Sequence, residues 1–322
     1  MKKISTISDF KEGKTIQGFF LCVEKHLRHT RGGDLYLDIV LRDKTGQVSA
    51  KVWDNIPKFH EKFNPGDPVA VAGEVDTFQD RPQLVVKKIN RASIQSYGRY
   101  GYDPAMIVPA SQADPQAMWK SLMKHIKGIK SSHLKQMISI IYKEYKNRFL
   151  VHPGSASLHH SYRSGLLEHT LSMAKLAQTI GPHYKADPDL LMAGVLLHDI
   201  GKLKELSDGL EFDYTDEGHF IGHIILGRDM TLAAIKKVTG FPKDLSKKVE
   251  HLILSHQGKF EWQSPRRPMF KEALLLHLID YMDSQVNMMD SILDDETDEG
   301  DWTDRRNYFR LPLYRGPKPS SK

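Results

Sequence analysis

Six residues in the second half of this 322-residue chain carry side chains suited to divalent transition metals: His169, His198, Asp199, His223, His256 and Asp280. Imidazole with carboxylate is a donor set such metals favour, and two such metals side by side can drive hydrolysis of a phosphate ester. The adjacent pair is the strongest signal. It ends the run Leu196-Leu197-His198-Asp199-Ile200-Gly201-Lys202, an apolar helix closing on His-Asp and then Gly and Lys. Neighbours on a regular helix point about 100° apart, but at a helix end the backbone can turn, so both can face one metal region. Asp199 is the natural bridge, because a carboxylate has an oxygen for each of two cations. With 16 histidines in the chain, packing accounts for any one of them taken alone. An ordered series falling one to a helix, with a contiguous pair and a trailing lysine, reads as a metal site.

The other members fit the same reading. His169 lies in a helix that opens after Gly165, His223 heads a later helix, and His256 follows the run Val249 to Ser255. Asp280 interrupts the apolar stretch Leu274 to Tyr281, where a carboxylate needs a partner to offset its desolvation. His159 and His160 stand ahead of the first ligand helix, where reaching the phosphate, supporting a ligand and packing are all open to them. Asp283, one turn past Asp280, suits either a ligand-orienting role or a cap. His251, His219 and His277 read as structural.

The elements that must position these residues divide the chain. Residues 1–92 are β-rich: strands at Thr15 to Val23, Asp34 to Leu41, Gln47 to Trp53, Pro68 to Thr77 and Pro82 to Ile89, with a short helix at Asn55 to Phe63 after the third. Five strands with that insert are the pattern of an OB-fold, a small Greek-key barrel. Residues 93–115, rich in Gly, Pro and Tyr, read as a linker. Residues 116–293 are helical by periodicity, broken at Gly128, Pro153-Gly154, Gly181-Pro182, Gly240-Phe241-Pro242 and Ser264-Pro265. The fold class expected is therefore multidomain, an all-β OB barrel followed by an all-α domain. Residues 294–322 form a tail. Six acids crowd Asp294 to Asp301, and six Arg/Lys against one acid follow in 303–322, so the tail is expected to lie extended or disordered in solvent, with docking of its aromatic residues on the body or on a second copy in a homo-oligomer as the alternative.

An OB barrel offers a face that binds single strands by stacking and charge. Candidates for it here are Tyr36, Trp53 and Arg81, with Arg28 and Arg31 in a basic loop expected between the first two strands; Phe19 and Phe78 are further aromatics. A net charge of +6 and a pI near 9.1 favour an anionic partner mildly. No apolar run approaches the roughly 18–20 residues of a membrane span. The N-terminus lacks a signal peptide's apolar core. Cys22, the single cysteine, reads as a buried structural thiol; with no disulfide available, a cytoplasmic location is expected.

Over about 155–290 the sequence resembles the HD superfamily of metal-dependent phosphohydrolases. That resemblance places His169, His198, Asp199 and Asp280 on one metal and adds His223 and His256 for a second. It implies that Lys202 contacts the scissile phosphate. Gln257 departs from the pattern, standing where a further histidine is often found, which implies a looser second metal. The order of OB barrel then HD domain, with Gly165-Leu166-Leu167-Glu168-His169-Thr170 and His198-Asp199-Ile200-Gly201-Lys202, resembles the YhaM family of bacterial 3′–5′ exoribonucleases. Membership would imply two manganese ions per chain, single-stranded RNA as substrate with single-stranded DNA also open, and nucleoside 5′-monophosphates as products. Two other readings stand beside it: a phosphohydrolase of small or cyclic nucleotides, and a non-enzymatic single-strand binder with a vestigial site.

Overall fold

In the computed structural model, which describes residues 4–79, 81–207, 209–294 and 300–316, the chain divides into two units. One comprises Met1–Ala110 with Gly209–Glu211, the other Ser111–Asp208 with Phe212–Lys322.

The first unit is a closed barrel of β1 (Thr15–His29), β2 (Leu35–Asp43), β3 (Gly46–Val52), β4 (Pro68–Phe78) and β5 (Arg81–Arg91), with the short helix α1 (Ile56–His60) between β3 and β4. The strand order is β1-β2-β3-β5-β4, closed by β4 on β1. Only β3 and β5 run parallel; the other neighbours are antiparallel. That is the OB topology expected. Period-two alternation turns Leu37, Ile39 and Leu41 of β2 inward, where they meet Ile16, Phe20, Val69 and Leu84. Cys22 is buried, and burial pushes its thiol up to about 12, which leaves it inert.

The stretch 93–115, read from composition as a linker, carries structure of its own. Helix α2 (Ile94–Tyr97) and two 3-10 turns follow β5. Tyr102, Ile107 and Val108 bury against Phe19 and Leu21 on the outer face of β1. Phe19 is therefore core and does not belong to a binding face. Arg28 differs too: it and His29 lie inside β1, which runs well past Val23, and the loop to β2 begins at Thr30.

The second unit is helical: α3 (Pro115–Gly128), α4 (Ser132–Glu144), α5 (Lys146–Phe149), α6 (Gly165–His183), α7 (Pro188–Leu197), α8 (Lys202–Glu205), α9 (Asp216–Phe220), α10 (His223–Lys236), α11 (Lys243–Ser255) and α12 (Lys271–Leu293). Helix α7 is apolar on every side, and Leu190 to Leu197 are all buried, so it sits in the middle with α6, α11 and α12 packed around it. Its start is fixed by Pro188 in the first turn and by Asp187, whose carboxylate accepts from the Asp189 and Leu190 amides. Near its end the Tyr142 hydroxyl donates to the Leu196 carbonyl at 2.8 Å, which satisfies a carbonyl that the helix terminus leaves open. The His-Asp pair thus emerges from a helix buried on every side.

Much of the acidic run, 295–299, and the last basic residues, 317–322, lie outside the described residues. Residues 300–316 do not run free. Trp302 bridges to Tyr314, the Thr303 amide donates to the Leu313 carbonyl at 2.9 Å, and Arg315 reaches the Ile292 carbonyl at 2.9 Å, which folds the segment back on the end of α12. Among the described residues no helix is long and apolar enough to cross a membrane.

Candidate metal centre

Five helices converge on one point. His169 sits in the second turn of α6, His198 and Asp199 follow α7, His223 is the first residue of α10, His256 caps the C-terminus of α11, and Asp280 lies midway along α12. Two close crossings make this possible. A Cβ on Gly201 would lie 1.9 Å from the His223 carbonyl oxygen, so only glycine lets the turn after Asp199 touch the start of α10. A Cβ on Gly165 would lie 2.0 Å from the His160 carbonyl oxygen, which ties the start of α6 to the segment before it.

The six predicted ligand residues come together as two adjoining sets that share one carboxylate. On one side His169 Nε2 is 3.3 Å from His198 Nε2 and 3.3 Å from Asp280 Oδ1, while Asp199 Oδ2 is 3.4 Å from His198 Nε2 and 3.8 Å from His169 Nε2. On the other, Asp199 Oδ1 is 3.5 Å from His223 Nε2 and 3.7 Å from His256 Nε2. Asp199 thus turns one oxygen to each set.

Hydrogen bonds behind the site decide which nitrogen each imidazole offers. His198 Nδ1 is 3.0 Å from the Val195 carbonyl, and His256 Nδ1 is 2.8 Å from that of Ile253. His169 Nδ1 is 2.8 Å from Asp283 Oδ2, and His223 Nδ1 is 3.0 Å from Glu205 Oε1. All four Nδ1 atoms face acceptors, so a proton on each Nδ1 is held there and Nε2 is turned toward the centre. Ring nitrogens and carboxylate oxygens facing one another this closely repel unless a proton or a cation lies among them. Asp199 Oδ1 and His223 Nε2 are buried, and neither makes a hydrogen bond among the described residues. The donor chemistry and these two orphaned atoms fit divalent cations.

Ionisation follows the same geometry. Burial opposes the charge on Asp199, yet Lys202 and His198 hold its carboxyl well below the usual carboxylate range. Burial likewise opposes a proton on His169, but hydrogen bonds to Asp280 and Asp283 outweigh it and raise the ring to about 9. Burial, with His198 beside it, draws His256 down to about 4 against the opposing pull of Asp199 and Asp280. A cation held by His169 and Asp280 would compete with the proton that the raised His169 ring retains.

Lys202 is buried beside the centre, its Nζ 2.6 Å from Asp199 Oδ2 and 2.5 Å from the Gly154 carbonyl. Gln257 reaches the second set, with Nε2 3.3 Å from His256 Nε2. Asp283 orients rather than caps: besides His169 it meets His160 Nε2 at 3.1 Å and accepts from the Ser172 hydroxyl. His159 faces the cavity over the centre, and its ring centre is 5.6 Å from that of His169; burial and nearby Lys202 lower it to about 3, so it is a neutral ring. His251 accepts from the Met269 amide and His277 donates toward the His256 carbonyl, both structural contacts. Glu205 is what the sequence reading missed. It holds both the ring and the amide of His223, the latter at 2.9 Å, and its one signal was an acid three residues past Lys202 in a turn otherwise rich in buried residues.

A cavity of about 690 Å³ within the helical unit opens over the centre, lined by Asp199, Lys202, His223, Gln257 and Asp280 among others. In the barrel unit, Tyr36 and Trp53 stack with centroids 4.8 Å apart and planes at 27°, and Lys51 Nζ lies 5.5 Å from the Tyr36 ring centre. Arg28 stands opposite Tyr36 in the β1–β2 register and pairs with Asp38 at 3.1 Å. Arg31, in the loop after β1, and Arg81, at the start of β5, are exposed and stand apart from that cluster in sequence and strand position.

A helical domain carrying this His/Asp set, joined to a five-stranded OB barrel, defines a metal-dependent phosphohydrolase of the HD class with a nucleic-acid-binding module. Family models agree: residues 166–285 match the HD domain and residues 21–92 match the OB-fold nucleic acid binding domain. Over 305 residues the chain is 32% identical to a 3′–5′ exoribonuclease YhaM of Listeria welshimeri serovar 6b, covering 92% of this chain and 93% of that protein, and it matches one from Listeria monocytogenes serovar 1/2a at the same identity and coverage. The chain belongs to the YhaM 3′–5′ exoribonuclease family. Among solved structures, the second OB-fold domain of replication protein A from Methanococcus maripaludis matches at 18% identity and a TM-score of 0.25, covering 28% of this chain and 96% of that one.

Proposed function

We propose that this protein is a metal-dependent exoribonuclease that removes nucleotides from the 3′ end of single-stranded RNA, with single-stranded DNA as a second substrate and nucleoside 5′-monophosphates as products. The observation that carries the reading is the division of Asp199 between two imidazole sets, an arrangement suited to two cations at one scissile phosphate. His169, His198 and Asp280 would hold one cation, His223 and His256 the other, with Asp199 shared. Two such ions, manganese being the expected metal, would stabilise charge on the phosphate oxygens and lower the pKa of water.

The protein's own groups supply the rest. Asp283 and Glu205 fix the tautomer and angle of His169 and His223, so donor lone pairs point inward before substrate arrives. Lys202, with its charge already among the ligands, is the group available to a phosphate oxygen as negative charge grows there. The Tyr36–Trp53 stack with Lys51 offers the barrel's surface for stacking and charge along the strand.

End-labelled single-stranded RNA and DNA, incubated with Mn²⁺, Mg²⁺ or EDTA and resolved by length, test the whole reading. Stepwise shortening from the 3′ end with Mn²⁺, abolished by EDTA, is expected; release of label from intact polymer by internal cuts would refute it. Trp53, 45% exposed, gives a test of the barrel. Trp53→Ala should weaken binding to single-stranded RNA by about tenfold, the size of one base–aromatic stack, and anisotropy titrations would show unchanged affinity if the barrel only supports assembly. Asp283→Asn keeps shape but removes the charge behind His169; loss of such an outer partner costs roughly 10–100-fold in metal affinity, readable in a Mn²⁺ titration of activity. A superimposable titration would mean that Asp283 does not set the ligand.

A further inference from the structure

The cavity over Asp199 is bordered by aromatic rings for which chemistry at phosphorus has no use. Phe220 ends α9, three residues before the ligand His223, and is 89% exposed. A phenyl ring that bare gains nothing from water, yet it lines the same cavity as Asp199, Lys202 and His223. Tyr281 follows the ligand Asp280 on α12 and also lines the cavity. It stacks on Trp262, with centroids 5.2 Å apart and planes at 19°, and Lys259 Nζ lies 4.3 Å from the Trp262 ring centre. Two ligand-bearing segments, one from each half of the metal centre, therefore each carry an exposed ring into the same space.

We propose that Phe220 and the Tyr281–Trp262 pair form a nucleobase-stacking subsite that seats the 3′-terminal base of the strand while its phosphodiester lies at Asp199. The proposal rests on the ribonuclease reading above and adds to it what positions the terminal residue. Aromatic rings stack on the faces of all four bases, so such a subsite is indifferent to sequence, as an enzyme that shortens strands stepwise requires. Tyr281 is already ordered against Trp262, which lowers the entropy lost on binding. Because Phe220 and Tyr281 stand within three residues of ligands, a base held on them fixes the distance from the sugar to the metal centre, and misplacement there is costly to rate.

The test compares two oligoribonucleotides that differ only at the 3′ end, one closing on adenosine and the other on an abasic ribose, with release of the first residue followed at saturating Mn²⁺. Wild type is expected to favour the adenosine end by about tenfold in kcat/KM, as one base–aromatic stack implies. Phe220→Ala, a change at an exposed ring, and Tyr281→Leu should each remove most of that preference by slowing the adenosine end with little effect on the abasic one, and Phe220→Trp should restore it. Equal slowing of both ends, or a wild type without preference, would overturn the subsite. Equal slowing accompanied by a smaller particle in sedimentation would overturn it too, making Phe220 a contact between copies. A wild type that shortens neither strand would instead refute the ribonuclease reading.

Discussion

Asp199→Asn is expected to bring RNA hydrolysis down to background and to strip the purified protein of bound metal. The substitution keeps the shape of the side chain, so geometry alone does not explain the loss. What disappears is the negative charge and one of the two oxygens that face the imidazole sets, at 3.4 Å from His198 and 3.5 Å from His223. An amide offers one neutral oxygen and, on the other side, a donor pointed at lone pairs, which repels a cation where the carboxylate attracted one. Both sets use Asp199, so both weaken together, whereas replacing His256 would weaken only one. The same change removes the counter-charge of Lys202, which is 6% exposed. Removing one partner of a buried pair costs about 3–5 kcal/mol, so thermal unfolding in EDTA should move down as well. Metal analysis and single-turnover hydrolysis on the folded variant decide the matter: near-normal activity would mean that the chemistry lies elsewhere.

The residues proposed to hold cations were legible first at two positions that interrupt a pattern. His198-Asp199 ends an apolar helix, and Asp280 breaks an apolar one; neither position has an ordinary structural use for its charge. The partners behind them were half legible. Asp283 could be suspected from its place one turn after Asp280, but Glu205 meets His223 only because Gly201 lets the turn after Asp199 press on the start of α10, and no spacing rule encodes that crossing. The barrel was readable from alternation and turn residues. The fate of residues 93–110 was signalled too, though in β1 rather than in their own composition. Gly18-Phe19-Phe20-Leu21-Cys22 is buried without alternation, so the strand is covered on both faces, and Tyr102, Ile107 and Val108 supply the outer cover. Local composition reports flexibility, while burial depends on what a distant strand leaves uncovered. The rings of Phe220, Trp262 and Tyr281 escaped notice because a cavity rim assembled from three segments has no period in the sequence.

Lys202→Met should separate two roles that the resting geometry superimposes on one ammonium. In the absence of cations Nζ serves as counter-ion to Asp199 at 2.6 Å and donates to the Gly154 carbonyl, so the neutral side chain leaves a buried carboxylate without its nearest positive charge. Breaking a buried pair in this way costs about 3–5 kcal/mol, and unfolding in EDTA should show it. Cations bound to Asp199 supply the missing charge, so the gap from wild type should narrow when Mn²⁺ is added. Removing a positive charge beside the ligands should also leave Mn²⁺ affinity unchanged or raise it, since Lys202 and the cations compete for Asp199 Oδ2. Catalysis should move the other way. If Lys202 meets the phosphate as charge accumulates on its oxygens, loss of one such donor costs about 10²–10³ in kcat, with KM for RNA much less affected because the interaction strengthens only in the transition state. Tighter or equal metal binding with a large fall in kcat is the expected pair of results. A variant that binds Mn²⁺ normally and keeps its kcat would confine Lys202 to holding Asp199 in place before the cations arrive.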